Sequence, residues 1–161
     1  MEGGQGRAVV VGATLTDAGV LEVVGGSGAD RVEVRKAKRG RYYVAAKFED
    51  FGKQYRSFHA NDVASLSIAT GPGRDHIRVQ SKVKLEAVIH AGAGADIVEG
   101  GDRDTKVIAD AGNDIVVTGH GNDTLIGGRG NDVLSAGSGN DKVRGGPGFN
   151  ILVGGRGIDR L

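Results

Sequence analysis

The sequence predicts an all-β chain wound as a parallel solenoid, and three observations predict it: an excess of glycine, a shortage of proline and aromatics, and a period of nine residues. Of 161 residues, 30 are Gly and 2 are Pro, where ordinary domains carry about 7% Gly. Each Gly costs about 1 kcal/mol in a helix relative to Ala, which argues against a helical bundle. Hydrophobic residues still reach 39%, enough to bury a core, while aromatics are 4%, so a broad aromatic-lined pocket is not expected. No apolar run approaches the roughly 18 residues of a membrane-spanning helix. With no Cys, disulfides and thiolate metal sites are excluded.

From residue 91 the chain reads AGAGADIVE, GGDRDTKVI, ADAGNDIVV, TGHGNDTLI, GGRGNDVLS, AGSGNDKVR, GGPGFNILV, GGRGIDRL. The sixth position holds Asp96, Thr105, Asp114, Asp123, Asp132, Asp141, Asn150 and Asp159. The eighth is apolar in every copy: Val98, Val107, Val116, Leu125, Leu134, Val143, Leu152 and Leu161. The fourth is Gly except at Arg103.

Each column has a physical reason. The triplet around position eight, such as Thr124-Leu125-Ile126, reads as a short strand with its central side chain turned inward. The glycines allow positive φ in tight turns and leave the backbone open to a ligand. These are Gly92, Gly94, Gly112, Gly119, Gly121, Gly128, Gly130, Gly137, Gly139, Gly155 and Gly157. Stacked turns would place the position-six carboxylates in rows, which like-charge repulsion opposes unless a cation lies between them. Oxygen-only ligation points to a hard ion, Ca²⁺ rather than Zn²⁺.

The pattern GGxGxDxUx resembles the RTX, or haemolysin-type, calcium-binding nonapeptide repeat. The resemblance implies a right-handed parallel β-roll, or β-helix, in which two nonapeptides make one turn and Ca²⁺ lies between neighbouring loops. One edge then carries Asp96, Asp114, Asp132 and Asn150, and the other Thr105, Asp123, Asp141 and Asp159. About four strong sites follow by this stacking rule, at 96/114, 114/132, 123/141 and 141/159. The 132/150 site has one neutral Asn donor and is weaker. At 105/123, Thr105 lacks the charge. Either Arg103 supplies a cation there or the rung is a degenerate one.

Two further half-copies lie upstream, Gly25–Glu33 and Thr70–Arg78, with Asp30 and Asp75 at the sixth position. Asp75 precedes Asp96 by one turn plus a short insertion, so the two should stack. Alternating segments at 21–23, 32–34, 42–44, 66–68 and 85–89 read as strands. The expected layout is an N-terminal set of solenoid rungs over 1–90, continuous with the repeat roll over 91–161, and a protruding hairpin or loop near 35–62.

That excursion is irregular in composition. Arg35, Lys36, Lys38, Arg39 and Arg41 put five cations in seven residues, and all the aromatics but Phe149 lie within 42–58. One reading is a polyanion-binding patch, with acidic glycan favoured over nucleic acid. The other is a solvated strand edge guarded by charge, with the aromatics packing across a hairpin.

No enzyme is expected. His59, His76, His90 and His120 are scattered without metal-ligand spacing, and there is no nucleophile elbow, H-E-x-x-H or P-loop. Position three runs Ala93, Asp102, Ala111, His120, Arg129, Ser138, Pro147, Arg156, too irregular for an ice-binding face. Net charge is +1, so nucleic acid is not the expected partner. The function these features imply is a calcium-binding structural or adhesive module of a secreted or cell-surface bacterial protein, folding and rigidifying on Ca²⁺. The alternatives are an accessory repeat domain of a secreted enzyme (protease, lipase or alginate-modifying) or an acidic-glycan-binding module. No signal peptide is visible at Met1–Gly4, and the stop at the core position Leu161 suggests part of a larger chain.

Overall fold

The computed structural model describes residues 12–49 and 51–161. The first eleven residues of the expected N-terminal part lie outside the described residues. Alternation of apolar and polar side chains makes the strands: β1 (Gly12–Leu15), β2 (Val20–Val24), β3 (Arg31–Ala37), β4 (Arg41–Phe48), β5 (Gly52–His59), β6 (Ser65–Ala69), β7 (His76–Val79), β8 (Ala87–His90), β9 (Ile97–Glu99), β10 (Thr105–Ala111), β11 (Ile115–Val117), β12 (Thr124–Arg129), β13 (Val133–Ser138), β14 (Lys142–Arg144) and β15 (Ile151–Arg156). A single 3₁₀ turn, Ala60–Asp62, is the only helical piece among the described residues.

The strands form two sheets, one ordered β1-β2-β6-β8-β10-β12-β14 and the other β15-β13-β11-β9-β7-β3-β4-β5. The chain alternates between the sheets, so each turn adds one parallel strand to each. This is a parallel β-solenoid, as the period of nine requires. The register gives the pitch directly. Val107 pairs with Leu125 and Leu125 with Val143 in one sheet, and Val98 pairs with Val116 and Val116 with Leu134 in the other. Every one of these steps is two nonapeptides.

Position-eight side chains meet between the sheets. Val98, Val107, Val116, Leu125 and Leu134 are fully buried, and Val143 nearly so. The same layer continues upstream through Ile89, Ile68 and Val23 in one sheet and Ile77 and Val32 in the other. One contiguous apolar core therefore runs the length of the described solenoid.

The upstream rungs keep the geometry but not the spacing. Ile77 pairs with Val98 across 21 residues and Val32 with Ile77 across 45. The first is one turn plus a short insertion. The second accommodates the long excursion expected near 35–62.

That excursion is a hairpin, and it lies along the sheet rather than standing free. β4 pairs antiparallel with β3, and β5 antiparallel with β4. Tyr42, Val44, Ala46 and Phe48 alternate inward and are buried. Apolar alternation on β4 therefore pulls the hairpin onto the core, where it extends the sheet beyond the first parallel rung. At the same end of the other sheet β1 pairs antiparallel with β2.

Candidate metal centre

The turns between the sheets carry the carboxylates. Asp96, Asp114, Asp123, Asp132 and Asp141 are 0–1% exposed, although each sits in a turn. Parallel stacking with an 18-residue pitch places each above its equivalent, and one oxygen of each is bonded across the gap. Asp114 Oδ1 accepts the Asp96 N–H at 2.9 Å, and Asp132 Oδ1 accepts that of Asp114 at 3.0 Å. On the opposite edge Asp123 Oδ1 accepts from Thr105 at 2.8 Å, and Asp141 Oδ1 from Asp123 at 2.7 Å. Asn150 and Asp159 continue the two rows, accepting from Asp132 and Asp141.

The second oxygen has no partner. Oδ2 of Asp75, Asp96, Asp114, Asp123, Asp132 and Asp141 is buried without a hydrogen bond. An orphaned carboxylate oxygen is costly inside a protein, and six in register form a pattern. Burial pushes the Asp96, Asp114 and Asp123 carboxyls up to about 6 from 3.8. Neighbouring carboxylates, such as Asp75 for Asp96 and Asp141 for Asp123, push the same way. Asp75 is raised as well, again chiefly by burial.

Glycine keeps this space open. A methyl group on Gly127 would strike Asp132 Oδ2 and come within 2.7 Å of the Gly145 carbonyl oxygen. The orphaned oxygen thus shares its surroundings with a backbone carbonyl from the next turn. At positions two and four the carbonyl of the equivalent residue one turn back lies where a Cβ would be: that of Gly94 against Gly112, of Gly112 against Gly130, and of Asp110 against Gly128. Of the glycines expected at these turns, Gly92, Gly94, Gly112, Gly121, Gly128, Gly130, Gly137, Gly139, Gly155 and Gly157 have positive φ. Gly119 does not, and its Cβ position is closed by Asp102 Oδ1 and the Gly101 carbonyl.

The donor set is all oxygen, from buried carboxylates and turn carbonyls, and it fits a hard divalent cation such as Ca²⁺. Among the described residues no group of three or more His, Cys, Asp or Glu converges as a compact cage. An ion here would be held by paired carboxylates with help from turn carbonyls. A bound divalent cation would supply the positive charge that the orphaned oxygens lack. The side chains of this chain position the oxygens and exclude water from them.

The rung at 100–108 departs from the rest. Arg103 is exposed, and Thr105 donates its hydroxyl proton to the Arg103 carbonyl at 2.7 Å. Arg103 is thus outside the buried row, and from this rung Asp123 accepts the backbone N–H of Thr105.

The stacking of Asp75 on Asp96 expected from the spacing is present: Asp96 Oδ1 accepts the Asp75 N–H at 2.8 Å, and Asp75 Oδ1 accepts the Asp30 N–H at 2.7 Å, so the first row continues upstream. A column at position five is the feature that the sequence reading lacked. Asn113 Oδ1 accepts from Asn131 N, Asn122 Oδ1 from Asn140 N, and Asn131 Oδ1 from Phe149 N. Asp104 fills the same place, accepting from Asn122 N at 2.8 Å. Four consecutive repeats carry Asn there, the signal that could have exposed it.

Lys36, Lys38, Arg39, Arg35 and Arg41 do not form one patch. Arg35 and Arg41 lie on β3 and β4 facing outward, Lys36 pairs across to the buried Tyr42, and Lys38 and Arg39 are in the turn between the strands.

A family model for the RTX calcium-binding nonapeptide repeat matches in four copies, at residues 88–102, 99–134, 108–143 and 144–161. No curated protein and no solved structure matches the chain.

Proposed function

With residues 88–161 belonging to the RTX family of calcium-binding nonapeptide repeats, we propose that the chain is a calcium-clamped structural module of a secreted or cell-surface protein, serving as a stiff spacer or adhesive element. The six buried, unpartnered Oδ2 atoms carry the reading. Without a cation the rows repel and glycine-rich turns lose much backbone entropy on ordering. With one, each turn is tied to the next.

The full carboxylate pairs at 96/114, 114/132, 123/141 and 141/159 are the strong sites. At free Ca²⁺ tenfold above its dissociation constant, each site adds about 1.4 kcal/mol, and four add roughly 5–6 kcal/mol. That equals the whole stability of many domains. Extracellular modules bind at about 10⁻⁴–10⁻³ M, so such a protein stays loose where calcium is scarce and folds where it is plentiful.

Calorimetric titration of the chain with CaCl₂ tests this. Asp141 contributes to two full pairs and Asp159 to one, so Asp141→Asn should remove more of the bound calcium than Asp159→Asn. Equal stoichiometry and affinity in the two variants and the parent would refute the ladder.

A further inference from the structure

We infer that the outer face of β3, β4 and β5 binds an anionic polysaccharide, a chain of uronate or sulfated sugars. This goes beyond the calcium reading and uses different residues at the other end of the solenoid.

Register brings together cations that are far apart in sequence. Arg31 pairs with Lys47, and Lys47 with Lys53, so three cationic side chains stand in a row across three adjacent strands. Strand spacing sets them about 4.8 Å apart. None of the three, nor Arg35, has a carboxylate ion-pair partner among the described residues. Three like charges side by side cost free energy that a bound polyanion would return.

Next to this row the small side chain of Ala45 lies between Glu33 and Tyr55. The result is a hollow of about 200 Å³ with Tyr55 as one wall and Arg31, Lys47 and Lys53 on the rim. A second hollow of about 290 Å³, lined by Arg31, Glu33, His76 and Arg78, lies on the other side of β3. The two share Arg31 and Glu33 as lining, so they are neighbouring hollows on either side of β3. A pair of neighbouring hollows suits a polymer better than a single sugar.

The chemistry favours sugar over nucleic acid. Nucleic-acid strands bind by stacking successive bases on a series of free rings. Here Tyr43 is covered: Arg35 sits 4.8 Å over its ring, and Tyr55 packs beside it at 6.1 Å. Of the hairpin's two exposed rings, Phe51 and Tyr55 at 58% each, Tyr55 alone lines a hollow. The Glu33 carboxylate, held by Gln80 at 2.6 Å, faces both hollows. It would accept hydrogen bonds from sugar hydroxyls, and since it repels any anion, uronate and sulfate included, the ligand's charged groups belong at Arg31, Lys47 and Lys53. Arg31 can hold a carboxylate or sulfate with two parallel bonds.

The test is retention on immobilised heparin and hyaluronan in millimolar CaCl₂ at about physiological salt, with neutral dextran as the blank. Calcium is present throughout, so folding is not the variable. The parent should bind both glycans and not dextran. The triple variant Arg31→Ala, Lys47→Ala, Lys53→Ala should bind at least about tenfold more weakly and with a shallower salt dependence. Tyr55→Ala should weaken binding with the salt dependence unchanged. Lys106→Ala with Lys142→Ala, on the other sheet, should bind like the parent. The inference is overturned if the folded parent retains neither glycan, if the folded triple variant binds like the parent, or if a thymidine oligonucleotide outcompetes heparin. None of these results would touch the calcium reading, which stands on the titration above.

Discussion

Asn131 and Asp132 are neighbours in sequence that clamp their turn in opposite directions. Asn131 Oδ1 accepts the Phe149 N–H at 2.9 Å, one turn ahead, while Asp132 Oδ1 accepts the Asp114 N–H at 3.0 Å, one turn behind. The same opposition recurs at Asn122-Asp123 and Asn140-Asp141. One residue type holds backbone to backbone and needs no charge. The other does so with one oxygen and keeps the second for a cation.

That division of labour separates two substitutions. Asn131→Ala should cost about 1 kcal/mol of stability through one lost hydrogen bond, seen as a lower denaturation midpoint, with calcium affinity unchanged. Asp132→Asn keeps an acceptor in place and should chiefly weaken calcium binding, measured by calorimetry.

Acidity should act in opposite directions with and without the ion. In the ion-free protein the Asp96, Asp114 and Asp123 carboxyls titrate at about 6, above their unfolded value of about 3.9. Raised folded pKa values mean that the stability they contribute is full below about pH 4 and is lost as pH rises through 6. In EDTA the far-UV β signal should therefore be stronger at pH 5 than at pH 7.5. With saturating CaCl₂ the melting temperature should instead be higher at pH 7.5, because protons and calcium compete for the same carboxylates.

Close backbone stacking makes the turn glycines intolerant. In Gly130→Ala the new methyl would overlap the Gly112 carbonyl oxygen, at a residue with φ of 140°. A loss of at least about 2 kcal/mol is expected in denaturant unfolding.

Asp110 is the converse case. It stands where other repeats carry Gly and holds a φ of 74°, a left-handed conformation costing an L-residue about 1 kcal/mol. Asp110→Gly should therefore raise the unfolding free energy by up to about 1 kcal/mol, with a higher melting temperature as the readout.

The period of nine made most of this legible in advance. Val98, Val116 and Leu134 declared the core because an inward column must be apolar, and Asp96, Asp114 and Asp132 declared a charged row because repulsion must be answered. Even the stacking of Asp75 on Asp96 followed from counting residues. What counting cannot give is direction. Nothing in the letters says that Asn131 reaches forward while Asp132 reaches back, since that depends on which side of the turn each side chain leaves. The cationic residues show the same limit. Arg35 and Lys36 are adjacent in sequence but leave opposite faces of β3, whereas Arg31 and Lys53 come into one row, on either side of Lys47, only through the register of an antiparallel hairpin. The hairpin's place on the sheet was written in the alternation of Tyr42, Val44, Ala46 and Phe48, which reads as an inward face once the strand is known to have a core beneath it.

The most direct test of the calcium clamp is far-UV circular dichroism during a titration from EDTA to about 10 mM CaCl₂, a range spanning the affinities of extracellular modules. The clamp predicts a cooperative gain of β signal as the orphaned carboxylates are neutralised. A spectrum already β-rich in EDTA and unmoved by calcium would contradict it, and would mean that the N-terminal rungs template the roll without the ion.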